Sequence, residues 1–256
     1  MQRVVPSRGR ATAATVSTEL TNREGTMGGK FAGKVALITG TGGGQGRAAA
    51  VAFAGEGAAI VGCDLKEDGN AETVALVEQA GGRMIGMAPV DLGDPTQAES
   101  WVEAAAAAFG SVDILYNNAS AAVFGGVEQL SIEDWDFTMR NEIDLVFYVS
   151  KFAWPHLKRQ GGVIINTASV AGHGAGGDGI AHSVTKRAVI AMSHCLADSG
   201  APHGIRVVSI SPGPIETPGT ADIFAMPGMR DAMLAGLHIK RLGQPEDIAR
   251  MAVFLA

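Results

Sequence analysis

The chain is poor in residues that mark several classes of protein. It has 2 cysteines in 256 residues, Cys63 and Cys195, which lie far apart in apolar surroundings. They predict neither a disulfide framework nor a metal site, and they fit a reducing, cytoplasmic setting. The sequence has no run of about 18 apolar residues, so it predicts no transmembrane helix.

Positive charge is also scarce. The chain carries 20 Lys and Arg against 26 Asp and Glu, a formal net charge of −6, and only 18% of its residues are charged. This balance disfavours binding to nucleic acid or to a membrane surface as the main role. The length suits one large α/β domain with a sizeable core.

The first residues differ from the rest of the chain. Residues 1–26 combine Arg3, Arg8 and Arg10 with many Ser, Thr and Ala, and no acidic residue precedes Glu19. They lack the apolar core of a signal peptide, although they resemble a transit sequence. We favour a natural start at Met27, with residues 1–29 as a disordered tail and residues 30–256 as a single domain.

From residue 34 onward, short apolar runs alternate with helical patterns. The runs lack polar alternation, which predicts strands buried on both faces. The predicted strands are Val35–Ile38, Ala59–Cys63, Met84–Val90, Val112–Tyr116, Val163–Asn166 and Ile205–Ile210. The predicted helices are Ala48–Gly55, Glu72–Gln79, Gln97–Phe109, Ile132–Lys158 and Val184–Asp198. This order predicts an α/β fold, a Rossmann-type doubly wound parallel sheet between two helical layers.

A glycine-rich stretch, Thr39–Arg47, follows the first predicted strand and precedes a helix. Glycines allow a tight turn, and the amides of the following helical turn attract a phosphate. Asp64 ends the second strand, 18 residues after Gly46, where a carboxylate can bind both ribose hydroxyls of an adenosine. Because Leu65 rather than a basic residue follows, we favour NAD over NADP, with Arg47 and Lys66 as the residues that count against this choice.

The spacing of Gly40, Gly44 and Gly46 resembles the nucleotide loop of the short-chain dehydrogenase/reductase family. The resemblance continues over roughly residues 34 to 256, through Asp91-Leu92, Asn117–Ser120, Pro212–Thr217 and Arg241–Ala249. It implies strand order 3-2-1-4-5-6-7, and nothing in the chain matches the seventh strand. It also implies a set of cofactor-binding residues. They are Gly40, Gly44, Gln45, Gly46, Asp64, Leu65, Asp91, Leu92, Asn117, Ala119, Lys186, Pro212, Ile215 and Thr217.

The catalytic motif departs from the family pattern at one position. The family has Ser and, 13 residues later, Tyr-x-x-x-Lys, in which Tyr exchanges a proton with the substrate oxygen. Ser169 and Lys186 match this pattern, but His182 stands in place of the Tyr. Residues four apart share a helix face, so His182 and Lys186 are expected in one site. Neutral imidazole is a competent base, which favours alcohol oxidation over ketone reduction. The alternative is that His182 only fills the space of the Tyr.

A second departure concerns the family's Asn in the long predicted helix, which binds a water of the proton relay. Counting back 13 residues from Pro155 gives Glu142, with Asn141 beside it. Either the Asn has shifted by one residue, or Glu142 replaces it. A carboxylate near His182 would orient the imidazole and favour its protonated form. A surface Glu is the simpler alternative.

These residues support two hypotheses of function. The first is an NAD-dependent alcohol dehydrogenase or ketone reductase. Its substrate would be a secondary alcohol or ketone on an apolar skeleton, for which a ring is one candidate. The second is a weak or inactive NAD-binding protein that acts as a sensor or partner subunit. The family resemblance implies a homo-oligomer, a dimer or tetramer, and the apolar arc of Ile132–Lys158, which includes Phe147 and Phe152, offers a face for the partner subunit.

Overall fold

The computed structural model describes residues 29–174 and 178–256, so residues 1–28 of the predicted tail lie outside it. Within these ranges the strands are β1 (Val35–Thr39), β2 (Ala59–Cys63), β3 (Arg83–Met87), β4 (Ile114–Asn117), β5 (Gly162–Thr167) and β6 (Ile205–Ile210). The helices are α1 (Gly44–Gly55), α2 (Glu67–Gln79), α3 (Pro95–Phe109), α4 (Ile132–Met139), α5 (Leu145–Leu157), α6 (Ile180–Gly200), α7 (Ala221–Ala225), α8 (Met229–Gly236) and α9 (Pro245–Leu255). None of these helices has the length and apolar character needed to span a membrane.

The six strands form one parallel sheet in the order β3-β2-β1-β4-β5-β6. This confirms the predicted doubly wound fold. Every residue of β1 and β2 is buried, because helices cover both faces of the sheet. Since all strands run in the same direction, the loops that follow them meet along one edge.

Each face of the sheet has its own apolar core. On one face, Trp101 of α3, Val149 of α5 and Val189 of α6 pack against the strands. On the other face, Phe53 of α1 and Ala249 of α9 do the same. Burial of one such Phe contributes about 1.5–3 kcal/mol. The two cores hold the sheet rigidly and therefore hold the loops at its edge.

The structure corrects several predicted boundaries. The long helix predicted at 132–158 is interrupted by a π-helix, Arg140–Asp144, in which the amide of Leu145 bonds to the carbonyl of Arg140. A π-turn accommodates one extra residue, which an apolar pattern with helical spacing does not reveal. α6 begins at Ile180 rather than Val184, so its first turns include His182. β3 ends before Pro89, which has no amide hydrogen to donate to a ladder.

Candidate active site

The predicted site residues gather at the edge where the strands end. The glycine loop follows β1, Asp64 follows β2 and Asp91 lies after β3. Asn117 ends β4, Ser169 follows β5 and Pro212 follows β6. Hydrogen bonds link neighbouring loops, including those from the amides of Gly40 and Thr41 to the Cys63 carbonyl at 2.8 and 3.0 Å. The candidate residues therefore form one continuous edge.

The glycine loop has the features of a phosphate-binding turn. Gly43 precedes α1 and provides no side-chain cap, and the first turn of α1 holds no acidic residue. The amides of Gly44, Gln45 and Gly46 are therefore free of side-chain caps and suited to an anion. Gln45 also has a buried side-chain oxygen, Oε1, without a partner in the described part of the chain. These residues fit the phosphates of a nucleotide cofactor.

Close backbone packing explains why this loop needs glycine. A Cβ atom on Gly46 would lie 2.0 Å from the carbonyl oxygen of Gly40. Gly40 itself has φ +75°, and a Cβ atom there would lie 2.9 Å from the Cα atom of Ala119. Non-glycine residues rarely adopt such a φ, and neither position has room for a side chain.

Asp64 and Arg47 both support the loop. Asp64 accepts hydrogen bonds from the amide of Gly42 at 2.7 Å and from the amide of Lys66 at 2.9 Å. Arg47 pairs with Glu72 at 2.7 Å and donates to the Gly42 carbonyl at 3.2 Å. Its charge therefore already has a counter-ion. Leu65, which follows Asp64, is 60% exposed and offers no charge.

Asp91 and Leu92 have different environments. The Asp91 carboxylate forms an ion pair with Arg140 at 2.7 Å and accepts a hydrogen bond from the Gly93 amide at 3.0 Å. Leu92 is buried in the core. Because Arg140 begins the π-helix, this ion pair joins the loop after β3 to the element that carries Glu142.

The residues at the end of β4 and just after it hold the sheet edge together. The Asn117 side chain is buried and donates to Ser150 Oγ at 3.1 Å and to Asn166 Oδ1 at 2.8 Å. The Ala119 amide donates to Thr39 Oγ1 at 2.9 Å. Contacts of Asn117 and Ala119 with a cofactor stay predictions.

The segment after β6 closes over the glycine loop. The Pro212 carbonyl accepts a hydrogen bond from Val170 at 3.0 Å, and Ile215 is buried. Thr217 lies against Gly44, where a Cβ atom would approach the Thr217 Cβ to 3.2 Å. The segment that carries the predicted cofactor-binding residues Pro212, Ile215 and Thr217 thus lies directly beside the predicted phosphate loop.

A contact between a carboxylate and an imidazole lies at the centre of the catalytic candidates. Glu142 is 1% exposed, and both of its carboxylate oxygens lie 3.0 Å from His182 Nδ1. The side chain of Asn141 instead donates to the Phe137 carbonyl of its own helix at 2.8 Å. Of the two alternatives left open by the sequence, Glu142 is therefore the residue that contacts His182, and it is not a surface residue.

Lys186 is buried beside Glu142. Its Nζ lies 3.3 Å from Glu142 Oε1 and donates to Ser120 Oγ and to the Thr167 carbonyl, both at 3.2 Å. Two of the three ammonium hydrogens thus have hydrogen-bond acceptors, and Glu142 provides the opposite charge. The contact between Lys186 and a cofactor stays a prediction.

Ser169 follows β5, and Phe124 lies beside His182. Ser169 Oγ accepts a hydrogen bond from the Ala171 amide at 3.1 Å, which leaves the hydroxyl hydrogen available for another acceptor. The Phe124 ring packs beside His182, with ring centroids 5.2 Å apart, and is 53% exposed. Phe124 thus gives one side of the imidazole an apolar neighbour.

Glu142 carries its negative charge despite burial. Desolvation raises the pKa of Glu142, but the Lys186 ammonium and the hydrogen bonds from His182 and Ser120 outweigh it and lower the pKa to about 2. An ionised carboxylate only accepts hydrogen bonds, so His182 Nδ1 must donate. No group in the described part of the chain bonds to the other ring nitrogen, Nε2.

Two residues of this site, Thr185 and Phe124, are not among those predicted from the sequence. Thr185 donates to Glu142 Oε2 at 2.6 Å, and its position three residues after His182 on one helix was a usable signal. Phe124 lies in a loop without a periodic pattern. It reaches His182 because the neighbouring Gly125 pairs with Gly179 just before α6.

Comparison with known proteins assigns the chain to a family. The family model described as "Enoyl-(Acyl carrier protein) reductase" matches residues 40–256. An uncharacterized oxidoreductase of Thermotoga maritima is 38% identical over 232 residues, which cover 88% of this chain and 91% of the relative. The chain belongs to the short-chain dehydrogenase/reductase family. It is thus a member of a family of oxidoreductases.

Two further members of the family have specific names. A cyclohexanol dehydrogenase of Acinetobacter is 34% identical, with 90% of each chain covered. A solved structure of a 7α-hydroxysteroid dehydrogenase with NADH and 7-oxo glycochenodeoxycholic acid has a TM-score of 0.84 and 30% identity, with 88% of each chain covered. The relatives of this chain thus include a protein named as a cyclohexanol dehydrogenase and one named as a hydroxysteroid dehydrogenase.

Proposed function

We propose that the protein is an NAD-dependent oxidoreductase that transfers a hydride between a secondary alcohol or ketone and nicotinamide, with His182 as the proton acceptor. The observation that carries the proposal is the contact between His182 Nδ1 and the buried Glu142 carboxylate at 3.0 Å. A histidine that merely fills the space of a Tyr needs no ionised partner, whereas a base that becomes positively charged benefits from one.

The side chains divide the proton chemistry between them. A bound nicotinamide supplies the acceptor for the hydride that leaves the carbinol carbon. His182 Nε2 takes the hydroxyl proton of the alcohol, while Glu142 holds Nδ1–H and stabilises the imidazolium. Ser169 donates a hydrogen bond to the substrate oxygen. After oxidation the imidazolium releases its proton to solvent, and in the reverse direction it returns the proton to the carbonyl oxygen.

The loop favours NAD as the cofactor. Asp64 stands at the end of β2 with its carboxylate oriented by the amides of Gly42 and Lys66. A 2′-phosphate would be repelled by this charge. Arg47, the cation that counted against NAD, is paired with Glu72, so it is less available to a phosphate.

The surroundings of His182 favour an apolar substrate. The half-exposed Phe124 ring lies beside the imidazole and offers an apolar surface at the reacting position. The names of the cyclohexanol and hydroxysteroid dehydrogenases describe cyclic secondary alcohols. We therefore infer that the substrate class is secondary alcohols on an apolar skeleton, with cyclic ones foremost.

The test measures NADH and NADPH formation over a panel of cyclic, aliphatic and aromatic secondary alcohols. We expect turnover with NAD in preference to NADP. His182→Ala should lower kcat by roughly 10²-fold or more, because general-base catalysis contributes at least that factor, while the Kd for NADH changes little. His194→Ala, an exposed histidine on the same helix, is the matched control.

Two results would count against the proposal. Equal turnover by wild type and His182→Ala would remove His182 from the proton transfer. Binding of NADH without turnover of any alcohol in the panel would favour the alternative, an NAD-binding protein without hydride chemistry.

A further inference from the structure

Two hydroxyl groups hold the Glu142 carboxylate from opposite sides. Ser120 Oγ donates to Oε1 at 2.6 Å, and Thr185 Oγ1 donates to Oε2 at 2.6 Å. Each oxygen therefore has its own hydroxyl donor in addition to His182 Nδ1. Because Glu142 is almost completely buried, these protein groups stand in for most of the hydration that the carboxylate lost.

Thr185 links the carboxylate to the helix that carries the imidazole. Its side chain is fully buried, and its hydroxyl lies 2.9 Å from the His182 carbonyl as well as 2.6 Å from Glu142 Oε2. The hydroxyl hydrogen is thus shared between the carboxylate and the backbone of the turn. Movement of Glu142 relative to His182 would break this arrangement.

Ser120 links the carboxylate to its counter-ion. Its hydroxyl donates to Glu142 and accepts from Lys186 Nζ at 3.2 Å. Ser120 comes from the loop after β4, whereas Thr185 belongs to α6. Two separate elements therefore fix the plane and position of one carboxylate.

We propose that Ser120 and Thr185 are positioning residues that fix His182 in the tautomer with hydrogen on Nδ1 and so leave the Nε2 lone pair for the substrate proton. The proposal rests on the proposed function for its catalytic meaning. The hydroxyls hold the Glu142 carboxylate in place and occupy lone pairs of its oxygens. The carboxylate can then accept a further hydrogen bond only from a donor at the position of His182 Nδ1. When the partner of one ring nitrogen is set, the tautomer of the whole ring is set.

The test is a nitrogen NMR spectrum of protein labelled with ¹⁵N-histidine, recorded at a pH where the His182 ring is neutral. Comparison with His182→Ala identifies the His182 signals among those of the 6 histidines. We expect the wild type to show the Nδ1–H tautomer. Thr185→Val should show a mixture of the two tautomers, and the double variant Ser120→Ala/Thr185→Val should show a larger share of the Nε2–H tautomer. Thr185→Ser keeps the hydroxyl and should show the same tautomer as the wild type.

Kinetics supply a second readout. Thr185→Val should lower kcat about tenfold with KM within about twofold, because the ring still binds but presents the wrong nitrogen for part of the time. Thr185→Ser should recover most of the loss. A purely structural role for Thr185 would lower the amount of folded enzyme without changing the tautomer.

The outcomes separate this proposal from the proposed function. An unchanged Nδ1–H tautomer in folded Thr185→Val and in the double variant overturns the proposal. If Thr185→Val does not fold, two other variants decide. An unchanged tautomer in Ser120→Ala overturns the positioning role of Ser120. A tautomer in Thr185→Ser that differs from that of the wild type overturns the positioning role of Thr185. A fixed tautomer in a wild type that oxidises no alcohol supports the positioning role and counts against the proposed function instead.

Discussion

Glu142 shows at the scale of one residue how a buried charge is maintained. A carboxylate taken out of water loses its hydration, and this loss is costly unless charged and hydrogen-bonding partners replace it. Here Lys186 provides the opposite charge, and Ser120, Thr185 and His182 provide hydrogen bonds. The cluster therefore keeps a negative charge beside His182 without direct help from solvent.

This arrangement predicts a specific loss of stability in acid. The pKa of Glu142 is lowered from 4.5 to about 2 in the folded protein. Its contribution, about 3 kcal/mol, is therefore fully present above pH 4.5 and is lost as the pH falls toward 2. Glu142→Gln cannot titrate, so its free energy of unfolding should be lower than that of wild type at neutral pH, and the difference should shrink over this range.

Urea unfolding at a series of pH values measures this difference. Glu99→Gln, a change at an exposed carboxylate, is the matched control and should follow the wild-type curve closely. Curves for wild type and Glu142→Gln that stay parallel from neutral pH down to pH 2 would contradict the prediction.

The sequence predicts that His182 and Lys186 share one site, since four-residue spacing on a helix is a local property. It could not choose between Asn141 and Glu142. One residue of offset changes the face of a helix, and the π-turn that sets the offset leaves no mark in the apolar pattern. Thr185 was within reach of the same spacing argument, but only its contact with Glu142 shows its importance.

At the scale of one element, the glycine loop depends on close contact between its own backbone groups. Gly46→Ala would place a methyl group 2.0 Å from the Gly40 carbonyl oxygen, and backbone cannot rotate away as a side chain can. We expect a loss of about 2 kcal/mol or more in the free energy of unfolding. We also expect at least tenfold weaker NADH binding, because the loop that is predicted to face the phosphates must move.

Gly43→Ala is the matched control for stability. A Cβ atom at Gly43 would meet only the Pro218 side chain, at an ordinary distance of 3.8 Å. Its free energy of unfolding should stay within about 0.5 kcal/mol of wild type. Chemical denaturation and fluorescence titration with NADH provide the two measurements, and a Gly46→Ala protein equal to wild type in both would disprove the steric argument.

At the scale of the whole molecule, α5 has one face buried against the sheet and one exposed face, and the exposed face is a candidate contact between copies of the chain. Val146, Val149 and Ala153 are buried against the sheet, whereas Phe147 on the same helix is 47% exposed. An exposed aromatic side chain on an otherwise packed helix suits a contact with a second copy of the chain. The predicted homo-oligomer thus has a candidate contact residue.

Phe147→Glu tests this assembly. We expect the wild type to form a dimer or tetramer, and Phe147→Glu to shift the distribution toward the monomer, because a carboxylate would be desolvated in the interface. Light scattering coupled to gel filtration measures the masses. Val127→Glu introduces the same charge at another exposed apolar residue, which lies in a loop, and serves as the control. A monomeric wild type, or an unshifted Phe147→Glu protein, would refute the prediction.

The sequence by itself determined the alternation of strands and helices, the direction of the strands and the glycine loop with its acidic partner Asp64. These features depend on local patterns and on residue type, which can be observed along one chain. Only the tertiary structure decided that Glu142 faces His182, that Lys186 is its counter-ion and that Arg47 is paired with Glu72. Such pairings join residues distant in sequence, and their geometry follows from how the elements pack on the sheet.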